Sequence, residues 1–231
     1  MIKLENTCFR WKKDDPILLQ IPKFRVKCGE RVFIKGPSGS GKTTLLNLLG
    51  GVSIPETGSI SVMSTNLFEL GSAERDAFRA DHIGYIFQMF NLIPYLSLIE
   101  NVTLPCRFST KRRQRALSQA STIEEEAKRI LSALKLDLTT TISQPVSQLS
   151  IGQQQRVAAA RSIIGSPELI IADEPTSSLD LDVRGSFLDL LFQEVCNTKI
   201  TLIFVSHDSY LESFFDRTVL LTDLNQARQK E

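Results

Sequence analysis

Histidine is nearly absent: His82 and His207 are the only two in 231 residues, too few and too far apart for a histidine-based metal site. Cys8, Cys28, Cys106 and Cys196 are equally scattered and form no CxxC pair. That excludes a disulfide framework or a zinc site, and they read as small buried or partly buried thiols. No apolar stretch reaches the length of about 18 residues that a bilayer span needs. The opening Met1-Ile2-Lys3-Leu4-Glu5-Asn6 has no secretory apolar core, so a cytosolic location is expected. Net charge is missing too: 27 basic against 26 acidic residues leave a formal +1. No broad electrostatic case for nucleic acid exists, and no direct binding to it is expected. There is no internal repeat and no long coiled-coil insertion.

What is present is ordinary for a globular chain, with 42% hydrophobic and 23% charged residues. This length suits one sizeable α/β domain, with or without a smaller lobe grafted onto it. The most informative segment is Gly36-Pro37-Ser38-Gly39-Ser40-Gly41-Lys42-Thr43, a complete phosphate-binding loop. It follows the apolar run Arg31 to Ile34 and precedes Thr44-Leu45-Leu46-Asn47-Leu48-Leu49, giving the strand, loop and helix that the motif requires. The helix should begin near Gly41, with its unpaired N–H groups and positive dipole end facing the phosphates. Gly36, Gly39 and Gly41 permit the curled backbone, while Lys42 and Thr43 aim at a polyphosphate and its magnesium ion.

Elsewhere the patterns alternate between the two periods. Ile2 to about Leu19 reads as two strands around the Asp14-Asp15-Pro16 turn, and Ser59 to Val62 as another. Ser72 to Phe78 is helical, and Ile83 to Phe87 is a strand ending at Gln88. Region 89–160 has a helical texture and reads as a lobe inserted in the α/β core. Within it Ser121 or Thr122 caps a helix whose first turn holds Glu124, Glu125 and Glu126. The basic run Lys111-Arg112-Arg113-Gln114-Arg115 reads as a docking rim, an anionic-lipid contact or a solvated turn, and so few charges favour the turn. Leu169 to Ala172 and Ile200 to Val205 are buried-strand signals with a helix at roughly Val183 to Val195 between them. Strands ending in polar residues and followed by helices fit an open parallel sheet with its site at the carboxyl edge.

A phosphate loop needs metal ligation and a group that handles the attacking water. Asp173, at the end of the 169–172 strand, suits the magnesium shell, and Glu174 next to it suits the general base.

With these motifs the chain resembles the nucleotide-binding subunit of an ABC transporter over nearly its whole length. The family hallmark Leu-Ser-Gly-Gly-Gln stands here as Leu149-Ser150-Ile151-Gly152-Gln153, with Ile151 replacing the first glycine. The resemblance implies one ABC ATPase domain over 1–231: a P-loop core, an N-terminal antiparallel β subdomain and an inserted helical subdomain. It implies ATP and Mg2+ as cofactors. Ser150, Gly152 and Gln153 would then close over the ATP of a second copy, in a sandwich dimer. Gln88 falls at the glutamine loop that senses magnesium and the γ-phosphate. Asp180, in Ser177-Ser178-Leu179-Asp180, falls where the two subunits communicate. His207 matches the switch histidine, Trp11 the aromatic that stacks on adenine, and Thr44 ends the phosphate-binding set.

The segment Phe90 to Val102 resembles the surface that receives the membrane subunit. The chain looks most like the lipoprotein-release, macrolide-export and cell-division branch. Its members are small ATPases on the cytoplasmic face of the inner or plasma membrane, peripheral to it, with integral membrane partners that carry extracytoplasmic domains. The function implied is ATP hydrolysis at a dimer interface, powering a transporter or a mechanotransmission complex. The alternatives are a soluble ABC-type ATPase acting on nucleic acid or ribosomes, and a catalytically silent regulatory subunit suggested by Ile151. Intact Lys42, Asp173, Glu174 and His207 stand against the last.

Overall fold

The computed structural model describes residues 1–142, 144–177 and 181–227. The chain divides into two compact units, Met1–Arg79 with Thr201–Glu231 and Ala80–Ile200.

The first unit opens with β1 (Ile2–Phe9) and β2 (Leu19–Val26), antiparallel, with Ile2 opposite Val26 and Leu4 opposite Phe24. Their inward positions, Ile2, Leu4, Leu19 and Ile21, are fully buried, while Lys3, Glu5, Gln20 and Lys23 are exposed. That two-residue period is what a half-buried antiparallel sheet dictates. β3 (Arg31–Lys35) differs, since Val32, Phe33 and Ile34 are all buried in succession. α1 (Lys42–Leu49) follows it across the phosphate loop, and Leu45, Leu46, Leu48 and Leu49 bury its inner side. β4 (Thr57–Val62) and β5 (Thr65–Asn66) complete an antiparallel sheet of order β2-β1-β4-β5, and α2 (Ser72–His82) comes next.

In the second unit β6 (Ile83–Ile86) is followed by α3 (Leu98–Thr103), α4 (Pro105–Phe108), α5 (Thr110–Leu117), α6 (Ile123–Ala133), α7 (Leu138–Thr141) and α8 (Ile151–Ile163). β7 (Leu169–Asp173) then pairs in parallel with β6, Ile83 opposite Leu169 and Ile86 opposite Ala172, before α9 (Leu181–Thr198). The unit is wider than the helical stretch 89–160, because it includes both strands and α9. β6 packs tightly on α8: a Cβ at Gly84 would lie 2.2 Å from the Ser162 carbonyl oxygen, so only glycine fits. α6 is capped by Thr122 in a reciprocal pair with Glu125. Arg129 on it bridges Glu126 and Glu194, tying α6 to α9.

The chain returns to the first unit with β8 (Thr201–Ser206), β9 (Arg217–Leu220) and α10 (Leu221–Leu224). β3 lies between β8 and β9 in parallel, with Ile34 opposite Val205 and Val219.

Two expectations are corrected. The basic run at 111–115 is not a solvated turn but part of α5, and Arg112 is 2% exposed. Its Nε and Nη2 donate to the Ile164 carbonyl oxygen at 2.8 and 2.6 Å, and Nη2 also donates to that of Ser162 at 2.8 Å. The reason is the end of α8, whose last carbonyls lack helical donors and carry the negative end of the dipole. Burial pushes the Arg112 pKa down to about 10, so the side chain stays cationic at neutral pH. The second correction concerns the cysteines: Cys106 is buried and Cys8 half-buried, but Cys28 and Cys196 are exposed. A thiol's small size permits burial without compelling it.

Candidate functional site

In the first unit the phosphate loop and His207 leave the carboxyl ends of neighbouring parallel strands, for Lys35 and Ser206 stand opposite each other in register. Gly39 and Gly41 have φ of 79° and 97°, the left-handed backbone that lets successive amides point inward. Gly36 serves differently: a Cβ there would meet Ser40 Oγ at 2.8 Å, so it provides room rather than an unusual dihedral. Gly41 is the N-cap of α1 and no side chain caps that end. Lys42 is 8% exposed, and its Nζ donates to the Gly36 and Pro37 carbonyl oxygens at 2.9 and 3.0 Å. That draws the ammonium across the loop. Ser40 Oγ is buried and has no hydrogen-bond partner among the described residues. An oxyanion is an acceptor that such a hydroxyl at a helix N-terminus fits.

Pro37, Ser38, Gly39 and Thr43 are exposed, whereas Thr44 is 6% exposed and lies on the inner side of α1. Lys35 Nζ donates to Ser209 Oγ and Glu212 Oε1 at 2.7 and 2.8 Å, and Asp208 accepts from the Tyr210 amide. These bonds fix the turn on which exposed His207 sits. Trp11, past the end of β1, is 61% exposed, and its ring meets Phe9 edge-on at 5.0 Å and 84°. An exposed indole is a stacking platform for a base.

In the second unit Gln88 and the Asp173-Glu174 pair likewise leave the carboxyl ends of paired strands, β6 and β7. Gln88 is exposed, while Asp173 and Glu174 are half-buried. Glu174 has φ of 45°, a left-handed conformation unusual for a residue with a Cβ. Ser150 is the N-cap of α8: its Oγ accepts from the Gln153 amide at 3.3 Å, and Gln153 Oε1 accepts from the Ser150 amide at 2.8 Å. The hallmark segment is thus also a capping box, with Gly152 half-buried and Ile151 53% exposed. α8 runs through Gly152, because the cap at Ser150 starts the helix at Ile151. Asp180, with Ser178 and Leu179, lies outside the described residues.

A family model described as ABC transporter matches residues 19–177. The chain belongs to the ABC transporter family. It is 37% identical to an uncharacterized ABC transporter ATP-binding protein, MJ0796, of Methanocaldococcus jannaschii, covering 100% of this chain and 97% of the relative. A solved dimeric structure of that cassette in a post-hydrolysis state, bound to ADP and Pi, matches with a TM-score of 0.80 at 33% identity, over 100% of this chain and 97% of the other. The lipoprotein-releasing system ATP-binding protein LolD of Chromohalobacter salexigens is 35% identical over 100% of this chain and 93% of its own. The macrolide export ATP-binding/permease protein MacB of Rhodopirellula baltica is 37% identical over 91% of this chain, which spans only 30% of that protein. The branch expected from the motifs is the one in which these relatives fall, and the α/β cassette fold is that of the solved structure.

Three residues escaped the sequence reading. Arg112 looked like one charge among several, and Gln155 and Arg161 sit in a helix-forming run without any local mark. The i, i+4 spacing of buried Arg112 and Ala116 is the one signal that could have shown Arg112 facing inward.

Proposed function

We propose that this ABC ATPase works as a pair of copies that hydrolyse ATP to drive an integral membrane subunit. The observation that carries the reading is the gathering of polar site residues at carboxyl ends of parallel strands: the loop and His207 in one unit, Gln88, Asp173 and Glu174 in the other. Lys42, the buried Ser40 hydroxyl and the inward amides bind the phosphates, and Trp11 stacks on the adenine. Magnesium fits a set of hard oxygen donors, here Thr43, Asp173 and Gln88, since that ion takes one or two carboxylates plus substrate phosphates. When bound it would neutralise charge on the β- and γ-oxygens.

Glu174 orients the attacking water and accepts its proton as the water oxygen bonds to the γ-phosphorus and the bond to the bridging oxygen breaks, giving ADP and phosphate. His207 holds the γ-phosphate side in line. Ser150 and Gly152, with Gln153 capping their turn, complete the site of the other copy, and Asp180 belongs to the loop between copies. Exposed Ile151 sits on that closing surface in place of a glycine. Met89 and Tyr95, 80% and 85% exposed, offer the membrane subunit an apolar surface beside the Gln88 turn. No helix among the described residues is long and apolar enough to cross a membrane. Membrane association is assigned to that partner, for which an extracytoplasmic domain is the branch's pattern.

Glu174→Gln tests the assignment. The variant is expected to keep ATP binding, lose nearly all turnover and accumulate as a closed dimer in light scattering. Unchanged steady-state ATPase refutes the role given to Glu174, and copurification with no integral membrane protein refutes the coupling.

A further inference from the structure

Among the backbone carbonyls that side chains of α8 reach, some lie in turns beside the proposed site. Gln155, 1% exposed, donates from Nε2 to the Pro175 carbonyl oxygen at 2.7 Å. Further along, Arg161 donates from Nη1 to the Asn91 carbonyl oxygen at 2.7 Å and from Nη2 to that of Phe90 at 2.5 Å. Each acceptor follows a site residue: Pro175 comes directly after Glu174, and Phe90 comes two residues after Gln88.

Both turns also hold residues with a Cβ in left-handed backbone, Glu174 at φ 45° and Phe90 and Asn91 at 57° and 48°. Such conformations persist where surrounding contacts over-determine them. In the 90–91 turn one planar guanidinium takes two successive carbonyls, one on each terminal nitrogen, which suits the arginine fork. The far end of α8 is itself held by Arg112 through the Ser162 and Ile164 carbonyls, so Arg161 pulls from a fixed base.

We propose that α8 is a positioning strut, in which Gln155 holds the turn that presents Glu174 and Arg161 holds the turn that follows Gln88. This rests on the roles given above to Gln88 and Glu174. Since Ser150 and Gly152 start the same helix, docking of the second copy at its N-terminus bears on both turns together. Gln155 and Arg161 are positioning residues and touch no nucleotide.

The test compares Arg161→Met and Gln155→Met, which keep an apolar stem and remove the donors, by amide hydrogen exchange on the nucleotide-free full-length protein. Arg161→Met is expected to speed exchange by about 10-fold or more over 88–92 while leaving 174–177 unchanged, and Gln155→Met to do the reverse, as loss of one such bond predicts. In both, kcat should fall by about 10-fold while ATP affinity stays within about 3-fold, because the Lys42 loop is untouched. Arg161→Lys, which keeps charge but not the fork, should show the same localised exchange to a smaller degree and decides the matter if the methionine variant does not fold. Exchange that rises uniformly along the chain, or that does not change in either turn, overturns the strut. Gln88→Ala and Glu174→Gln serve as references: normal turnover in those two refutes the site assignment instead, whatever the exchange shows.

Discussion

Replacing Arg112 by methionine should destabilise the protein well beyond an ordinary surface change. Arg112 is 2% exposed, and its guanidinium satisfies the Ser162 and Ile164 carbonyls at the end of α8, with longer contacts to those of Arg161 and Ile83 at 3.3 and 3.5 Å. Methionine keeps the stem and removes every donor. Two buried carbonyls then lose their partners, at about 1–3 kcal/mol each. Relief from burying a charge offsets part of this, leaving a net loss of about 3 kcal/mol. For a chain of this size that corresponds to a melting temperature lower by about 6–12 °C. The assay is thermal unfolding followed by circular dichroism, with Arg113→Met as the control. Arg113 is exposed on the same helix, and its loss should stay within about 0.5 kcal/mol. If Arg112→Met and Arg113→Met melt together, Arg112 does not cap the end of α8.

Lys42→Ala should weaken ATP binding by about 10- to 100-fold, as expected for a charged donor to phosphate; wild-type affinity measured through Trp11 fluorescence would contradict it. Activity of the isolated protein should rise more than in proportion to its concentration, since each site needs a second copy. A specific activity independent of concentration in a monomeric sample would sink the shared site. Burial by itself raises the Glu168 pKa, but hydrogen bonds and charge from Arg115 and His82 outweigh it, leaving the carboxyl below its usual value. A depressed folded pKa means that the stabilisation is complete above the ordinary carboxylate range, near about 4.3, and is lost as pH falls through the folded value. Glu168→Gln should therefore melt below the parent at pH 7 and converge with it on acidification; a constant gap across pH would refute the ion pair.

Much of this was legible because its causes are local. The phosphate loop announces itself through glycine and lysine spacing between an apolar strand and a helix, and Thr122 with Glu125 announces a helix start three residues apart. The inward faces of β1 and β2 follow from a period of two. Arg112 was not legible, because the carbonyls it satisfies lie about fifty positions away in sequence, at 162 and 164. Gln155 resembles its neighbours Gln153 and Gln154, yet only Gln155 turns inward to Pro175.

The chain by itself thus determined its chemistry: phosphate binding, a carboxylate pair after a strand and the family hallmark depend on residue type at short spacing. Only the tertiary structure decided which charge of the 111–115 run is buried, that Gly36 is needed for room while Gly41 is needed for its dihedral, and that α8 reaches the turns beside Gln88 and Glu174. The reason is physical. A hydrogen bond from a side chain to a distant carbonyl depends on where packing brings the backbone, and sequence spacing does not record that distance.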